Sequence, residues 1–274
     1  MSARDPCLCA VTGLLVACAL ACATARNYDD PAGPVLVGGG APRVAARPQL
    51  RVVTFNIKFA EHVDRAVELL LRPGPLRDPD ILVLQEMDEA GTKEVARALG
   101  LAYVYVPSAV HPMSHRDFGV AILSPWPLEA PRKVPLPHEH RFRHLRRAAV
   151  TATALTPVGS IRVYGVHLES PSGLWDGDRR DQARAVLADA AGWHGPLVVA
   201  GDFNGRGGAE EIADAGFLWP TERIGHTVRF FTFDHVLARG LCLAGEPAAA
   251  AVRDETHASD HDPVWAVLRP CPPP

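Results

Sequence analysis

The chain has 274 residues, 47% of them hydrophobic and 22% charged, so it is long and apolar enough to bury a sizeable core. Gly (23) and Pro (25) together stay below the share that is typical of disordered chains. A formal net charge of −3 excludes a global basic field that would bind DNA indiscriminately, although a local basic groove is still possible.

Residues 1–22 are predicted to be an export signal. Ala10–Ala21 is almost wholly apolar, too short to span a bilayer comfortably, and preceded by one basic residue, Arg4. The sequence Leu-Val-Ala-Cys ending at Cys18 resembles a bacterial lipobox, and a poorer copy ends at Cys22. We therefore expect an exported cell-envelope lipoprotein, acylated at Cys18 or Cys22 and anchored to a membrane, with secretion as the alternative.

Residues 23–48 are rich in Gly, Pro and Ala and are predicted to be a flexible tether. One domain is expected over residues 49–270, because the sequence there has no second linker and no internal repeat. Outside the N-terminal segment there are two cysteines, Cys242 and Cys271, and the sequence allows either a disulfide or two free thiols. With no Cys-x-x-Cys, a structural zinc site has no support in the sequence.

Hydrophobic patterns predict nine strands and four helices. In chain order they are strand Leu50–Ile57, a helix from Val63, strand Asp80–Glu86, helix Gly91–Leu99, strands Leu101–Val106, Phe118–Leu123, Arg147–Leu155 and Ile161–Leu168, helix Asp178–Trp193, strand Pro196–Asn204, helix Glu210–Ala215, and strands Phe231–Leu237 and Pro263–Leu268. A long polar loop is expected before Arg147. Because hairpin-like neighbours and β-α-β units both occur, we predict an α/β fold: a four-layer α/β sandwich with two packed mixed β-sheets and outer helices.

Five of the apolar strands end in polar residues that could ligate a metal or exchange protons. They are Asn56, Glu86, His167, Asp202 with Asn204, and Asp234, and a further cluster, Ser259-Asp260-His261, precedes the last strand. Each residue taken alone could be structural, as a cap, a turn residue or a buried histidine. Because ligand sites of layered α/β folds lie at strand ends, their repetition predicts one common site.

Six short motifs occur in order along the chain. They are Thr54-Phe55-Asn56-Ile57, Leu84-Gln85-Glu86, Phe118-Gly119-Val120-Ala121-Ile122-Leu123-Ser124, Val166-His167-Leu168, Gly201-Asp202-Phe203-Asn204 and Ser259-Asp260-His261. With these motifs the chain resembles the endonuclease/exonuclease/phosphatase superfamily from about residue 50 to 268. These magnesium-dependent phosphoesterases include deoxyribonucleases, abasic-site nucleases, neutral sphingomyelinases and inositol polyphosphate 5-phosphatases.

The resemblance implies a Mg²⁺ site, with Mn²⁺ as an alternative, in which Glu86 is the main ligand and Asn56 lies beside it. Asp260 would help to hold the metal or the neighbouring histidine. Asp202 would orient or deprotonate the attacking water, and Asn204 would donate to a phosphate oxygen.

The resemblance also implies that Asp234 pairs with His261 and orients it, as in a catalytic triad. His167 and Arg147 would stabilise the charge on the phosphorus centre and so contact the substrate. Gln182 matches a position of the family and would brace the site. The sequence leaves open whether Asp202 or His261 takes the proton of the water.

The implied function is a divalent-metal-dependent hydrolase of phosphate esters, and among these a phosphodiesterase of the nuclease or sphingomyelinase type, which acts as a monomer by in-line attack of water. Its substrate would be a nucleic acid or a phospholipid headgroup. The alternative is an exported binding module that keeps the fold without turnover. Phe118 stands where several nucleases of the family have a tyrosine, which argues against an abasic-site nuclease.

Two surface features bear on the substrate. Residues 137–147 contain His138, His140, His144 and four arginines, so they form either a solvated loop or a basic rim for an anionic substrate. A transition-metal site at the three histidines is the least favoured reading. No aromatic hairpin for membrane contact is expected, and Trp175 and Trp219 are the candidates for such contact.

Overall fold

The structure is a computed structural model that describes residues 24–40 and 47–272. These ranges contain fourteen strands and four α-helices. One sheet holds β1 (Arg26–Asn27), β2 (Leu36–Gly39), β3 (Leu50–Asn56), β4 (Ile81–Met87), β5 (Ala102–Val110), β6 (Asp117–Ser124), β12 (Leu241–Leu243), β13 (Ala249–Ala251) and β14 (Val264–Pro270). The other holds β7 (Leu128–Glu139), β8 (Arg146–Thr156), β9 (Gly159–His167), β10 (Leu197–Asp202) and β11 (Asp234–Arg239). The helices are α1 (Val63–Leu71), α2 (Glu89–Leu99), α3 (Asp176–Ala190) and α4 (Arg206–Asp214).

Both sheets are mixed, as predicted. The nine-stranded sheet has the order β1-β5-β6-β4-β3-β14-β12, with β2 on β5 and β13 on β14, and the five-stranded sheet has the order β11-β10-β9-β8-β7. The strands β3 and β4 are parallel, and so are β9 and β10, whereas the other neighbours are antiparallel. Register pairs Asn56 with Gln85 and His167 with Asp202, so these strands end together at one edge.

Alternation along the strands produces the layers. Val52 faces the five-stranded sheet and packs in one core with Val163, whereas Val53 faces outward and packs with Leu70 of α1. On the far side, Val186 of α3 joins the core beneath β9 and β10. Two packed sheets between two helix layers confirm the predicted four-layer sandwich. None of the helices in the described ranges is long and apolar enough to cross a membrane.

The structure differs from the predicted tether, because residues 26–27 and 36–39 pair as edge strands with β5. The ammonium group of Lys133 donates to the carbonyl oxygens of Tyr28, Asp30 and Gly33, and the Tyr28 hydroxyl donates to Asp117 Oδ1 at 2.7 Å. Gly and Pro here serve the turns around short edge strands. The predicted export signal with its lipobox, and residues 41–46, lie outside the described residues.

Three more strands escaped prediction. β7 fills much of the predicted polar loop; it contains three prolines and lies at a sheet edge, where a missing N–H is tolerated. β12 and β13 have only three residues each, too few for a periodic signal. Cys242 of β12 forms a disulfide with Cys271, which follows the neighbouring β14, so the structure favours the paired state that the sequence left open.

Candidate active site

The two sheets meet at the carboxyl ends of β3, β4, β9 and β10, and three of the predicted residues lie in contact there. The side-chain amide of Asn56 donates to Glu86 Oε1 at 3.3 Å and to Asp202 Oδ2 at 3.0 Å. Asn56 and Glu86 belong to one sheet and Asp202 to the other. The amide therefore links carboxylates from both halves of the sandwich.

The backbone turns sharply where these strands end. Glu86 has a φ of 58° within an irregularity between β4 and β6, and Asn204 has a φ of 52°. Gly201 has a φ of 149°, and a Cβ atom there would lie 1.9 Å from the carbonyl oxygen of Val166, so only glycine fits. Such left-handed backbone at non-glycine residues is uncommon and concentrates at functional sites.

Burial disfavours the charged form of the carboxylates of the site. Burial raises the pKa of Glu86, and burial raises the pKa of Asp202 to about 7. Asp234 Oδ1 is buried without a hydrogen-bond partner. Because burial of an ionised carboxylate is unfavourable unless its charge is compensated, Glu86 and Asp202 favour a bound cation.

His261 is paired with Asp234 as predicted, at 2.9 Å between Nδ1 and Oδ2, and its Nε2 lies 3.8 Å from Asp202 Oδ2. Burial alone would lower the pKa of His261, but the carboxylates of Asp234 and Asp202 raise it to about 10. The ligating atoms of these three residues all lie within 4.8 Å of one another. Because a protonated imidazole has no free lone pair, this cluster is better suited to proton transfer than to metal ligation.

His167 is a neutral hydrogen-bond donor in this arrangement. Arg147 Nη1 lies 3.1 Å from Nδ1 of His167, and an arginine can only donate, so Nδ1 accepts and the ring proton is on Nε2. Burial, followed by the positive charges of Arg147 and His261, lowers the pKa of His167 well below its usual range. Its Nε2 lies 3.5 Å from Asp202 Oδ2 and 3.9 Å from Glu86 Oε1.

Arg147 reaches the site through a buried ion pair that sequence reasoning missed. Its Nε and Nη2 donate to the two oxygens of Glu169 at 3.1 and 2.9 Å. Gln182 supports the pair, because its amide oxygen accepts from the Glu169 N–H at 2.9 Å and its amide nitrogen donates to Pro137 O at 3.0 Å. Glu169 lies two positions after His167, a spacing that could have indicated a shared face. Arg147 thus orients His167 rather than lining an open rim.

The last motif divides into one residue that supports the site and one that lies apart from it. Ser259 Oγ donates to the carbonyl oxygen of Asn56 at 2.7 Å and accepts from the His261 N–H at 3.1 Å, so it joins two parts of the site. Asp260, predicted to help hold the metal, is instead exposed and lies 3.9 Å from Lys58 Nζ. The chain bends at residues 260–261, where the Asp260 side chain is 57% exposed and that of His261 is 11% exposed.

Asn204 lies within the site but is partly engaged already. Its side-chain amide donates to Leu168 O at 2.9 Å, and its backbone N–H donates to Asp202 Oδ1 at 2.7 Å. One amide hydrogen stays available for a substrate oxygen. Nearby, the Phe118 ring packs against His167 with 5.5 Å between centroids and lies under the Arg147 guanidinium, so no hydroxyl is present at that position.

The histidines at 137–147 each have a separate partner. His138 Nε2 lies 3.0 Å from Asp181 Oδ2, and His144 Nδ1 lies 2.7 Å from Glu139 Oε1. His140 Nδ1 accepts from the Phe142 N–H at 3.2 Å. Within the described residues the three rings form no common metal cluster, so the transition-metal reading has no support in the structure.

The chain has two packed sheets with carboxylates at the strand ends that could bind a cation. This arrangement is typical of the α/β-sandwich metal-dependent hydrolases. The model of the Endonuclease/Exonuclease/phosphatase family matches residues 53–261, and the chain belongs to this family. Membership of the family makes the protein a phosphoester hydrolase, and enzymes of the family use divalent metals. A search of curated protein sequences found no match.

Solved structures of the same fold are similar over most of the chain. An endonuclease/exonuclease/phosphatase from Beutenbergia cavernae is 24% identical, with 82% of this chain and 72% of that chain covered and a TM-score of 0.62. The human Nocturnin catalytic domain, with bound sulfate, is 20% identical, covers 86% and 98%, and has a TM-score of 0.66. D. rerio TDP2, complexed with single strand DNA product, is 16% identical, covers 81% and 99%, and has a TM-score of 0.62. These likenesses show the fold.

The Arg147–Glu169 pair predicts a pH-dependent stability. Burial by itself would raise the pKa of Glu169, but the Arg147 charge and its hydrogen bonds hold that pKa below the ordinary value of 4.5. The stabilisation is therefore present above pH 4.5 and is lost as the pH falls through the folded-state pKa. We expect Glu169→Gln to cost about 3–5 kcal/mol at pH 7 and progressively less as the pH falls below 4.5, as measured by urea unfolding.

Glu139→Gln is the matched control, because Glu139 pairs with His144 and Arg146 at the surface. This variant should cost less than about 1 kcal/mol at pH 7. An equal loss of stability in both variants, or a loss in Glu169→Gln that does not shrink in acid, contradicts the assignment.

Proposed function

We propose that the protein is a phosphodiesterase that hydrolyses its substrate by in-line attack of water and depends on Mg²⁺, with Mn²⁺ as a substitute. The observation that carries the proposal is the amide of Asn56 holding Glu86 and Asp202 together, with the Asp234–His261 pair beside them. Family membership supports phosphoester hydrolysis in general. The choice of a diester is part of the proposal and is tested below with a diester substrate.

The side chains fit a hard divalent cation. Glu86 and Asn56 would hold it, since Mg²⁺ prefers oxygen ligands and often uses only one or two carboxylates. The amide oxygen of Asn56 accepts from the Lys58 N–H at 3.1 Å and keeps a second lone pair. Burial raises the pKa of Glu86, and a bound cation would stabilise its charged form. When bound, the cation supplies positive charge that stabilises the phosphate and its transition state.

The surrounding residues divide the remaining work. Asp202, whose pKa is raised by burial, is suited to accept a proton from the attacking water, because a more basic carboxylate is a better proton acceptor. His261 is cationic, and its Nε2–H donates to a non-bridging phosphate oxygen. His167 adds a neutral donor at Nε2, and Asn204 adds an amide hydrogen. Arg147 acts on the substrate through His167.

The set of acid–base and donor groups is complete, which favours catalysis over the alternative of a binding module that keeps the fold without turnover. Both a nucleic acid and a phospholipid headgroup offer the phosphodiester that this site would cleave. The D. rerio TDP2 structure is a complex with a single strand DNA product, and this binding is known of that protein. Here it supports only the inclusion of nucleic acid among the substrates to be tested.

We further propose that the protein is exported and held at the cell envelope by a lipid on Cys18 or Cys22. The apolar stretch Ala10–Ala21 and the Leu-Val-Ala-Cys sequence support the proposal. The disulfide between Cys242 and Cys271 supports export as well, because such bonds persist in oxidising compartments.

The proposed function predicts metal-dependent turnover. We expect hydrolysis of bis-p-nitrophenyl phosphate with Mg²⁺, loss of the activity in EDTA, and a reduction of kcat by about 10²–10⁴ in Asp202→Asn. Asp214→Asn, at the exposed end of α4, is the matched control and should keep the activity of the native chain. If neither this ester nor DNA nor sphingomyelin is hydrolysed in a metal-dependent way, the binding module is the better description.

The Asp234–His261 pair predicts non-additive kinetics. Because the two residues act as one unit, His261→Ala and Asp234→Ala should each lower kcat/KM strongly. The kcat/KM of the double variant should be only slightly below that of the less active single variant. His62→Ala, an exposed histidine before α1, is the control. Additive losses in the double-mutant cycle would show that the pair does not act as a unit.

Membrane attachment is tested apart from catalysis. Cys18→Ser or Cys22→Ser should move the chain from the membrane fraction to the soluble fraction of an expressing bacterium. Cys7→Ser and Cys9→Ser, upstream of the lipobox, should not. Retention of both downstream variants in the membrane fraction would refute acylation at these positions.

A further inference from the structure

In the described part of the chain, eight large hydrophobic side chains are exposed, and five of them lie at one edge of the molecule. These five, the apolar rim, are Met113, Phe142, Trp175, Phe230 and Phe231. They occupy the loops after β5, before β8, before α3 and before β11, and all these loops leave the sheet edge that carries the candidate active site. The other three, Val37, Leu71 and Leu243, lie elsewhere.

One part of the apolar rim is an aromatic turn, although none was expected from the sequence. Val228 and Phe231 form a β-bridge, and the Phe231 ring stacks on Phe233 with 5.2 Å between centroids. Phe230, at the tip, is 79% exposed. Asp234 of the candidate site follows within four residues. Trp219, one of the two expected contacts, is instead half-buried and covered by a guanidinium group.

A second part lies across the site. The guanidinium of Arg141 is 4.6 Å from the Trp175 ring centroid, and the Arg141 N–H donates to Gly173 O at 3.2 Å, so the two loops are joined. Phe142 follows directly and is 63% exposed. Trp175, which the sequence offered as a membrane contact, is 71% exposed. Single exposed apolar residues are ordinary, but several around one site indicate a binding surface.

The charges of the apolar rim favour an anionic surface. Among the residues that the structure describes, Arg141, Arg143 and Arg229 take part in no ion pair, and each adjoins Phe142 or Phe230 in the chain. Basic side chains beside protruding aromatic ones are typical of segments that insert into the interface of a bilayer containing anionic lipid.

A single-stranded nucleic acid fits this edge less well. Such ligands need a continuous basic groove along the backbone. Other arginines of these loops are neutralised instead, since Arg116 pairs with Asp88 and Arg146 Nε lies 3.3 Å from Glu139. Met113, in addition, offers no flat face on which a base could stack. Arginines paired in this way leave no continuous basic track for a nucleic-acid backbone, whereas separate apolar tips beside single unpaired arginines can enter a bilayer.

The first described residues of the chain lie at the same edge as the apolar rim. The Ala25 N–H donates to Arg143 O at 2.8 Å, so the described chain begins beside the apolar rim. Cys22 precedes Ala25 by three residues and Cys18 by seven, which limits their reach to about 10 and 25 Å in a fully extended chain. A lipid on either cysteine, itself a proposal, would hold this edge near the membrane.

We propose that the apolar rim seats the candidate active site on an anionic phospholipid bilayer. The apolar tips enter the interface, and the unpaired arginines contact lipid phosphates. One consequence rests on the proposed function: the phosphodiester that is cleaved would be that of a membrane phospholipid. Binding of the apolar rim to the bilayer does not itself require turnover.

A fluorescence experiment on the full chain tests the seating. Phe230→Trp and, as matched control, Leu243→Trp are mixed with phosphatidylcholine–phosphatidylglycerol vesicles that carry brominated acyl chains, with EDTA present to stop turnover. We expect bromine to quench about half or more of the emission added at position 230 and little of that added at 243. Because quenching reports depth at one residue, attachment through the N-terminus does not produce it at either position. Equal quenching at the two positions overturns the proposal.

A binding series separates the two kinds of partner. Phe230→Ser/Phe231→Ser should lower the affinity for these vesicles about tenfold relative to Val37→Ser, with unchanged circular dichroism. Binding of oligothymidylate that the same double variant abolishes, without quenching by lipid, would identify a nucleic-acid surface and overturn the proposal. Because all readouts are taken in EDTA, a failure here is distinguishable from a failure of the proposed hydrolysis.

Discussion

The site depends on carboxylates that folding brings together between the two sheets, where burial disfavours their charged form. Glu86 and Asp202 come from different sheets, and a single amide, that of Asn56, donates to both. Closing the sandwich buries Asp202 and partly buries Glu86, which raises both pKa values, and Asp234 Oδ1 has no hydrogen-bond partner. Burial of the two apolar sheet faces offsets the free-energy cost of that desolvation. The strand ends therefore favour the binding of positive charge.

Two cations of the chain itself approach this charge, and neither replaces a metal ion. His261 is held by Asp234, on the flank nearest Asp202. Arg147 is committed to Glu169 by two hydrogen bonds and reaches the centre only through His167. Both are therefore fixed as donors and orienting groups. The oxygen atoms of Glu86 and Asn56 keep the position in which a small hard cation is favoured.

The core of the fold and most of the site could be predicted from the sequence, because apolar strands that end in polar residues recur along the chain. Continuous apolar runs placed the central strands, and polar residues at their ends identified Asn56, Glu86 and Asp202. Signals failed where the pattern was not local. Glu169 matters through a partner 22 residues away, Asp260 turns outward where its neighbour His261 turns inward, and β7 is concealed by prolines that only an edge strand tolerates.

The apolar rim is exposed because its loops lie at the carboxyl edge of the sheets. Loops at the carboxyl edge have no layer to pack against, so an apolar side chain placed there stays in water unless a partner covers it. Polar side chains at this edge find partners within the chain, as Arg146 does with Glu139 and Asp29. Phe230, Phe142 and Trp175 cannot be attributed to the core, because none belongs to its clusters. Their common position around one acidic centre is explained if that centre works while the edge is covered by an apolar, anionic surface.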